Sequence, residues 1–195
     1  MADPYTAKSA QDASPAEKLK EVKGIMKASK FSMLTSQGAG GLLHSRAMTP
    51  ADDKGLVFSF VANKESGKFD EIESNPQVNV SWSDAASTNW ASAAGKAKIL
   101  TDAATLKEMW SPMLKGWFGD LKDGVHTGSW DDPRVAVIQV IPSEIRYWIK
   151  TESSLAQTYE LVKGAVTGET ASPGALRVIS EADLALARDL DHKKI

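Results

Sequence analysis

Apolar positions change period several times along the chain, and each change marks an element. Leu19, Val22, Ile25 and Met26 recur at helical spacing behind Ser14-Pro15-Ala16-Glu17, a cap, a first-turn proline and an acid three residues on, so a helix is expected over about 15–29. The period then falls to two in 31–36, 42–48 and 56–61, the first pair separated by a Gly-rich turn at 38–41, which predicts three strands in an antiparallel meander. Phe69 and Ile72 support a short helix stopped by Asn75-Pro76, because the residue before proline is pushed away from helical angles. Val78, Val80 and Trp82 alternate as in a half-buried strand, and a longer strand is expected over 90–100.

Helical spacing returns through Leu106, Met109, Trp110, Met113 and Trp117, with Thr101 or Asp102 as cap, and reads as a core-facing helix over 102–115. Residues 135–141 and 144–150, divided by Pro142-Ser143, predict a pair of strands. A last amphipathic helix is expected over 180–191, with Ser180 and Asp183 at capping-box spacing. Some seven strands with short helices between them predict a mostly β chain with peripheral helices, a small barrel. Residues 1–13, and the Gly/Pro/Thr-rich stretch 163–176, read as loosely held. The domain expectation is a tail at 1–13, a barrel at 14–150 and an extension with a short helix at 151–195.

Charge and composition narrow the function. The 195 residues carry 23 Lys+Arg against 25 Asp+Glu, a net charge of -2, which offers no broad attraction for nucleic acid or an anionic membrane. The absence of cysteine removes disulfides, thiol nucleophiles, iron–sulfur clusters and thiolate zinc sites together. No basic-then-apolar leader opens the chain and no apolar run reaches the ~20 residues of a membrane span, so a soluble, cytoplasmic protein is the expectation. His44, His126 and His192 are too scattered for a histidine metal site, and no metal is expected. No carboxylate or serine stands in recognisable relation to His44 or His126, and no Gly-x-Ser-x-Gly elbow occurs; Asp52-Asp53 and Asp131-Asp132 read as solvated turns. Chemistry here calls for an imported cofactor.

The segment 63–76 is the most informative, since it places Ser66, Gly67 and Lys68 where a strand turns into a helix. Free N–H groups at a helix start attract anions, and a first-turn lysine is unfavourable there unless an anion offsets it. Arg46 is a second candidate cation for the same phosphate. Taken alone, the pattern is more often that of a solvated Lys68 beside Asp70 and Glu71, with Arg46 on an exposed strand face.

The order of these segments carries a resemblance. Ser45-Arg46-Ala47-Met48, Phe58-Ser59-Phe60 leading into Glu65-Ser66-Gly67-Lys68, Asn75-Pro76-Gln77-Val78, Ala94-Gly95-Lys96-Ala97, Trp117-Phe118, Asp131-Asp132-Pro133 and Arg146-Tyr147-Trp148 succeed one another from the first helix to about residue 150. In this order the chain resembles the general-stress-protein branch of the pyridoxamine 5′-phosphate oxidase-like family, in particular its fungal blue-light-inducible members. The resemblance implies an FMN-binding split β-barrel and a homodimer with flavin between the subunits. It places the phosphate on Arg46, Ser66 and Lys68, and the ribityl chain and ring edge along the backbone of Ala47, Met48 and the strand of Ser59, Phe60 and Val61. Trp117 and Trp148 are candidates for a flavin contact, although aromatics at such spacing read first as core. FAD, a deazaflavin or haem are alternative ligands.

Departures from the oxidase itself limit the resemblance. Its Ser-Arg-Lys cluster is Ser66-Gly67-Lys68 here, and residues 151–195 match no C-terminal substrate segment, so oxidation of pyridoxamine phosphate is not the expectation. The implied functions are a flavin-dependent oxidoreductase with an unknown small-molecule redox partner, a non-enzymatic flavin-binding stress or light-response protein, or a cofactor-free structural dimer.

Overall fold

The computed structural model describes residues 3–151, 154–171 and 173–192. Its elements are α1 (Pro4–Ser9), α2 (Pro15–Ala28), β1 (Ser32–Gln37), β2 (Leu43–Met48), β3 (Phe58–Asn63), α3 (Lys68–Ser74), β4 (Gln77–Ser83), β5 (Trp90–Leu100), α4 (Ala103–Met109), α5 (Lys115–Phe118), β6 (Val135–Lys150), α6 (Ser154–Thr167), β7 (Gly174–Ile179) and α7 (Glu181–His192). The predicted caps form: Ser14 Oγ accepts the Glu17 N–H at 3.3 Å, Asp102 accepts that of Thr105 at 3.0 Å, and Ser180 and Asp183 exchange bonds in a reciprocal box. Asn75 ends α3 in an extended conformation ahead of Pro76.

All seven strands join one antiparallel sheet in the order β2-β1-β4-β5-β6-β3, with β7 also on β6. The sheet curls because β6, sixteen residues long, pairs β3 through its first part and β7 through its last while β5 runs along its other edge. The result is a split β-barrel. Alternate side chains fill its interior: Leu34, Phe58, Phe60, Val80, Ile138 and Ile145 are fully buried, and Phe58 meets Trp82 edge-on at 4.7 Å. The apolar face of α2, with Leu19, Val22, Ile25 and Met26, closes the core together with Leu184 and Ala187 of α7.

Several expectations are corrected. The meander stops at the β1–β2 hairpin, since β3 pairs β6 and not β2. Residues 135–150 form one strand rather than two, with a bulge in place of the turn: the register shifts between Ala94 and Gly95, and Pro142, which has no N–H to give, sits opposite Gly95. A Cβ on Gly95 would overlap the Ile141 carbonyl oxygen, so the close approach requires glycine. The helix expected over 102–115 stops at Met109. Pro112 opens a separate 3-10 turn, and Met113 and Trp117 are each 86% exposed rather than in the core.

The two ends of the chain are also more ordered in form than their composition suggests. Residues 4–9 form α1, capped by Asp3, and Ala10 bridges Leu176 of β7. The stretch 163–176 contains the end of α6 and the start of β7, neither of which its Gly, Pro and Thr content indicates; Ser172 lies outside the described residues. Of the pair Asp131-Asp132, Asp131 lies in an exposed turn as expected, but Asp132 does not: it is 2% exposed and pairs with buried Arg134 at 2.7 Å. Arg134 also donates to the carbonyls of Phe118 and Gly119, tying α5 to the start of β6. Beside it a smaller core of Leu106, Phe118, Val135 and Val137 holds α4 and α5 on the outer face of the sheet.

Candidate cofactor site

At the end of the barrel bordered by β1, β2 and α3, four side chains meet. Arg46 projects from β2 on the same side as its β1 neighbour Leu34, and donates to the Leu34 carbonyl at 3.4 Å, to Ser36 Oγ, and to Glu71 Oε2 at 2.8 Å. Ser36 donates to the same carboxylate oxygen, while Glu71 Oε1 lies 2.6 Å from His44 Nδ1. These contacts with Ser36, His44 and Arg46 depress the Glu71 carboxyl from the usual 4.5 to about 2, against the opposing effect of burial.

Lys68 begins α3, one helical turn before Glu71. Its ammonium donates to Ser66 Oγ and lies 5.6 Å from the centre of the Phe69 ring. Burial first, and then the charge of Arg46, lower its pKa, with Glu71 opposing. Among the described residues no carboxylate lies within ion-pair distance of Lys68. Ser66 does not cap the helix; its hydroxyl donates to the Asn63 carbonyl at 2.6 Å and its oxygen stays available to Lys68. With only seven residues and no side-chain cap, α3 supplies little dipole, so the side chains and not the helix start make the positive character here.

The other predicted positions divide into those near this cluster and those apart from it. Ala47 is exposed on the outer side of β2, and Met48 is half-buried against the core. Phe60 is fully buried, so its side chain is core; Ser59 is buried, with its N–H and C=O taken up by Asp52 and Ala51 at the open edge of β3. Val61, two residues on, turns its own main-chain groups to that same edge while its side chain packs on the smaller core. Trp148 is not brought to Arg46 within one chain: it lies buried on β6, with β1, β4 and β5 between it and β2, and its Nε1 has no partner among the described residues. Trp117 stands exposed on α5.

Ser36, His44 and Glu71 are the residues that the sequence did not single out for this cluster. His44 and Glu71 are far apart in the chain, and the signal that could have joined them is strand alternation: His44 and Arg46 are two apart on β2, hence on one face. His126 likewise has a carboxylate, Asp123 at 2.5 Å, within a tight loop. No helix among the described residues is long and apolar enough to cross a membrane.

Comparison with known proteins places this geometry in a lineage. Residues 17–172 match the family model described as pyridoxamine 5′-phosphate oxidase like. Protein bli-3 of Neurospora crassa is 37% identical over 187 residues, covering 94% of this chain and 90% of the relative. Among solved structures, a putative general stress protein 26 from Jannaschia superposes with a TM-score of 0.59 at 23% identity, over 85% of this chain and 99% of that one. A pyridoxamine 5′-phosphate oxidase-related, FMN-binding protein from Nostoc punctiforme superposes with a TM-score of 0.51 at 13% identity, over 72% and 89% of the two chains, and shares the fold. With four-fifths of its length under one family model, and with general stress protein 26 of Bacillus subtilis 35% identical over 113 residues, 71% of that relative, the chain belongs to the pyridoxamine 5′-phosphate oxidase-like family, in its general-stress-protein branch.

Proposed function

We propose that the protein binds FMN, with the flavin phosphate on Lys68, Ser66 and Arg46. The observation that carries this reading is Lys68: a partly buried cation, lowered in pKa by its burial and by Arg46, with a hydroxyl beside it and no carboxylate within ion-pair distance among the described residues. A buried cation left uncompensated is costly, and a bound anion removes the cost. The residues present therefore fit a phosphate group. The open edge of β3 at Val61 offers a main-chain donor and acceptor, which suits the polar rim of a flavin ring, and this reading runs the ribityl chain along the backbone of Ala47 and Met48 on β2, the strand that carries Arg46. The FMN-binding relative from Nostoc supports the same ligand, and a phosphate monoester end favours FMN over FAD or a deazaflavin.

Bound FMN supplies hydride or electron transfer at its ring. The chain's part is to hold the phosphate, orient the ring edge and limit access of water, which makes the protein a flavin-dependent oxidoreductase acting on a small molecule. A homodimer completes the proposal. The outer face of β1, β4 and β5 carries Thr35, Asn79, Ser81, Ser92 and Ala94 side by side, short side chains in the middle of the sheet on which a second copy can pack. A cytoplasmic location belongs to the same reading.

The test is the absorption spectrum of the freshly purified protein, with mass spectrometry of whatever heat releases, repeated for Arg46→Ala and Lys68→Ala. Flavin bands with FMN released, and their loss in folded variants, are the expected result. A colourless protein that takes up no added FMN would sink the proposal and leave a cofactor-free dimer. Bound FMN with no turnover of any donor would instead support a flavin-binding stress protein without enzymatic activity.

A further inference from the structure

Arg46 is already engaged by a carboxylate. Its NH2 group donates to Glu71 Oε2 at 2.8 Å, and Ser36, to which its NH1 group donates, donates its own hydroxyl hydrogen bond to the same oxygen. His44 Nδ1 holds the other carboxylate oxygen at 2.6 Å. Glu71 is only 15% exposed and, with three side chains on two oxygens, is ionised throughout the neutral range. Gly38 is part of the same construction. A Cβ there would stand 2.7 Å from His44 Cε1 and 2.9 Å from Nδ1, so a larger residue would push the imidazole off Glu71.

Two cations thus line the site with opposite circumstances, Arg46 neutralised by α3's own carboxylate and Lys68 with only Ser66. A phosphate monoester carries about -1.5 to -2 at neutral pH. Facing Arg46, Lys68 and Glu71 together, it meets the equivalent of a single positive charge; without the carboxylate it would meet two.

We infer that Glu71 is a specificity-determining residue of this site, an internal counter-anion that restrains how tightly the phosphate end of a flavin is held and so narrows the preference for FMN over riboflavin. This rests on the phosphate reading of Arg46, Ser66 and Lys68. Repulsion between Glu71 and a bound phosphate acts on the phosphate alone, so the ring and ribityl contacts are indifferent to it. The same carboxylate also steers the Arg46 guanidinium, and shape and charge are separable by substitution. Glutamine keeps an oxygen for Arg46 and a donor for its neighbour while removing the charge.

The experiment is titration of the flavin-free chain with FMN and with riboflavin, monitored by flavin fluorescence at low and high salt, for the natural sequence, Glu71→Gln and Arg46→Ala. Glu71→Gln is expected to bind FMN tighter by on the order of tenfold at low salt, less at high salt, with riboflavin unchanged. Glu71→Gln that binds FMN no tighter, or that shifts FMN and riboflavin alike, overturns the inference while selective weakening of FMN in Arg46→Ala leaves the phosphate site standing. Arg46→Ala that weakens FMN no more than riboflavin overturns the site and this inference with it. Melting curves check each variant's fold. Should Glu71→Gln not fold, Glu71→Asp withdraws the charge from Arg46 and is expected to tighten FMN by a smaller factor; no tightening there overturns the inference equally.

Discussion

Single residues in this protein carry opposed demands of stability and binding, and Lys68 shows both. Its ammonium is partly buried with a hydroxyl as its hydrogen-bond partner, a state that a ligand-free protein maintains at a cost. Lys68→Met keeps the apolar stem, so it is expected to raise the melting temperature of the flavin-free chain, by roughly 0.5–1 kcal/mol of stability, while weakening FMN. A lower melting temperature would show that Lys68 is a structural group. Glu71 predicts a pH effect of definite sign. Its folded pKa of about 2 lies below the ordinary 4.5, so its stabilising contribution is complete above the ordinary value and is lost as pH falls toward 2. Acid titration of the folded protein should show that loss, and Glu71→Gln should flatten the curve between those limits. Tyr147, fully buried, donates to Glu21 at 2.7 Å, and Arg177 binds the same carboxylate. Tyr147→Phe removes one donor and is expected to cost about 0.5–1.5 kcal/mol in denaturant unfolding, whereas Glu21→Ala leaves the buried Tyr147 hydroxyl without its acceptor and takes the carboxylate from part-buried Arg177, and should cost more.

Among the elements, β6 and the loop before it hold the rest in place. The bulge opposite Pro142 lets one strand serve both β3 and β7, and it exists because Gly95 admits the Ile141 carbonyl. Gly95→Ala forces a backbone clash that no side chain can relieve, and the expected result is a loss of at least about 2 kcal/mol, read as a drop in denaturant midpoint. The buried pair of Asp132 and Arg134 plays the matching role for the loop that carries α5. Asp132→Ala leaves Arg134 without its carboxylate in the interior, with an expected cost of about 3–5 kcal/mol. Element by element, the strands and helices with an uninterrupted period were legible in the chain: β4, β5, α2 and α7 lie within a residue or two of their expected bounds. Where a proline fell, periodicity misled in both directions. Pro142 suggests a turn and marks a bulge, while Pro112 lies inside an unbroken apolar period and breaks a helix, because the outcome depends on whether a neighbouring strand can absorb the missing N–H.

At the scale of the whole molecule, the C-terminal segment is part of the barrel's closure. β7 covers the outer part of β6 and α7 contributes Leu184 and Ala187 to the main core, with Asp191 clamping Lys23 and the Gly55 N–H. Ending the chain at residue 150 would expose Ile145 and Tyr147 at a bare strand edge, and an insoluble or unfolded product is the expected result by solubility and circular dichroism. The proposed dimer predicts a mass twice the 21.0 kDa of one chain in sedimentation equilibrium.

What could be read along the chain was whatever neighbours a few residues apart decide: the period of apolar positions, the caps at Ser14, Asp102 and Ser180, and the presence of Arg46, Ser66 and Lys68 in a family-like order. Those depend on backbone geometry and on hydrogen bonds within one turn. Which strand receives β3, that β7 exists at all, and that Glu71 lies between Arg46 and His44 were left to folding. Strand pairing and the company of a buried charge are set by residues distant in the chain, and their cost or gain arises only when water is excluded from between them.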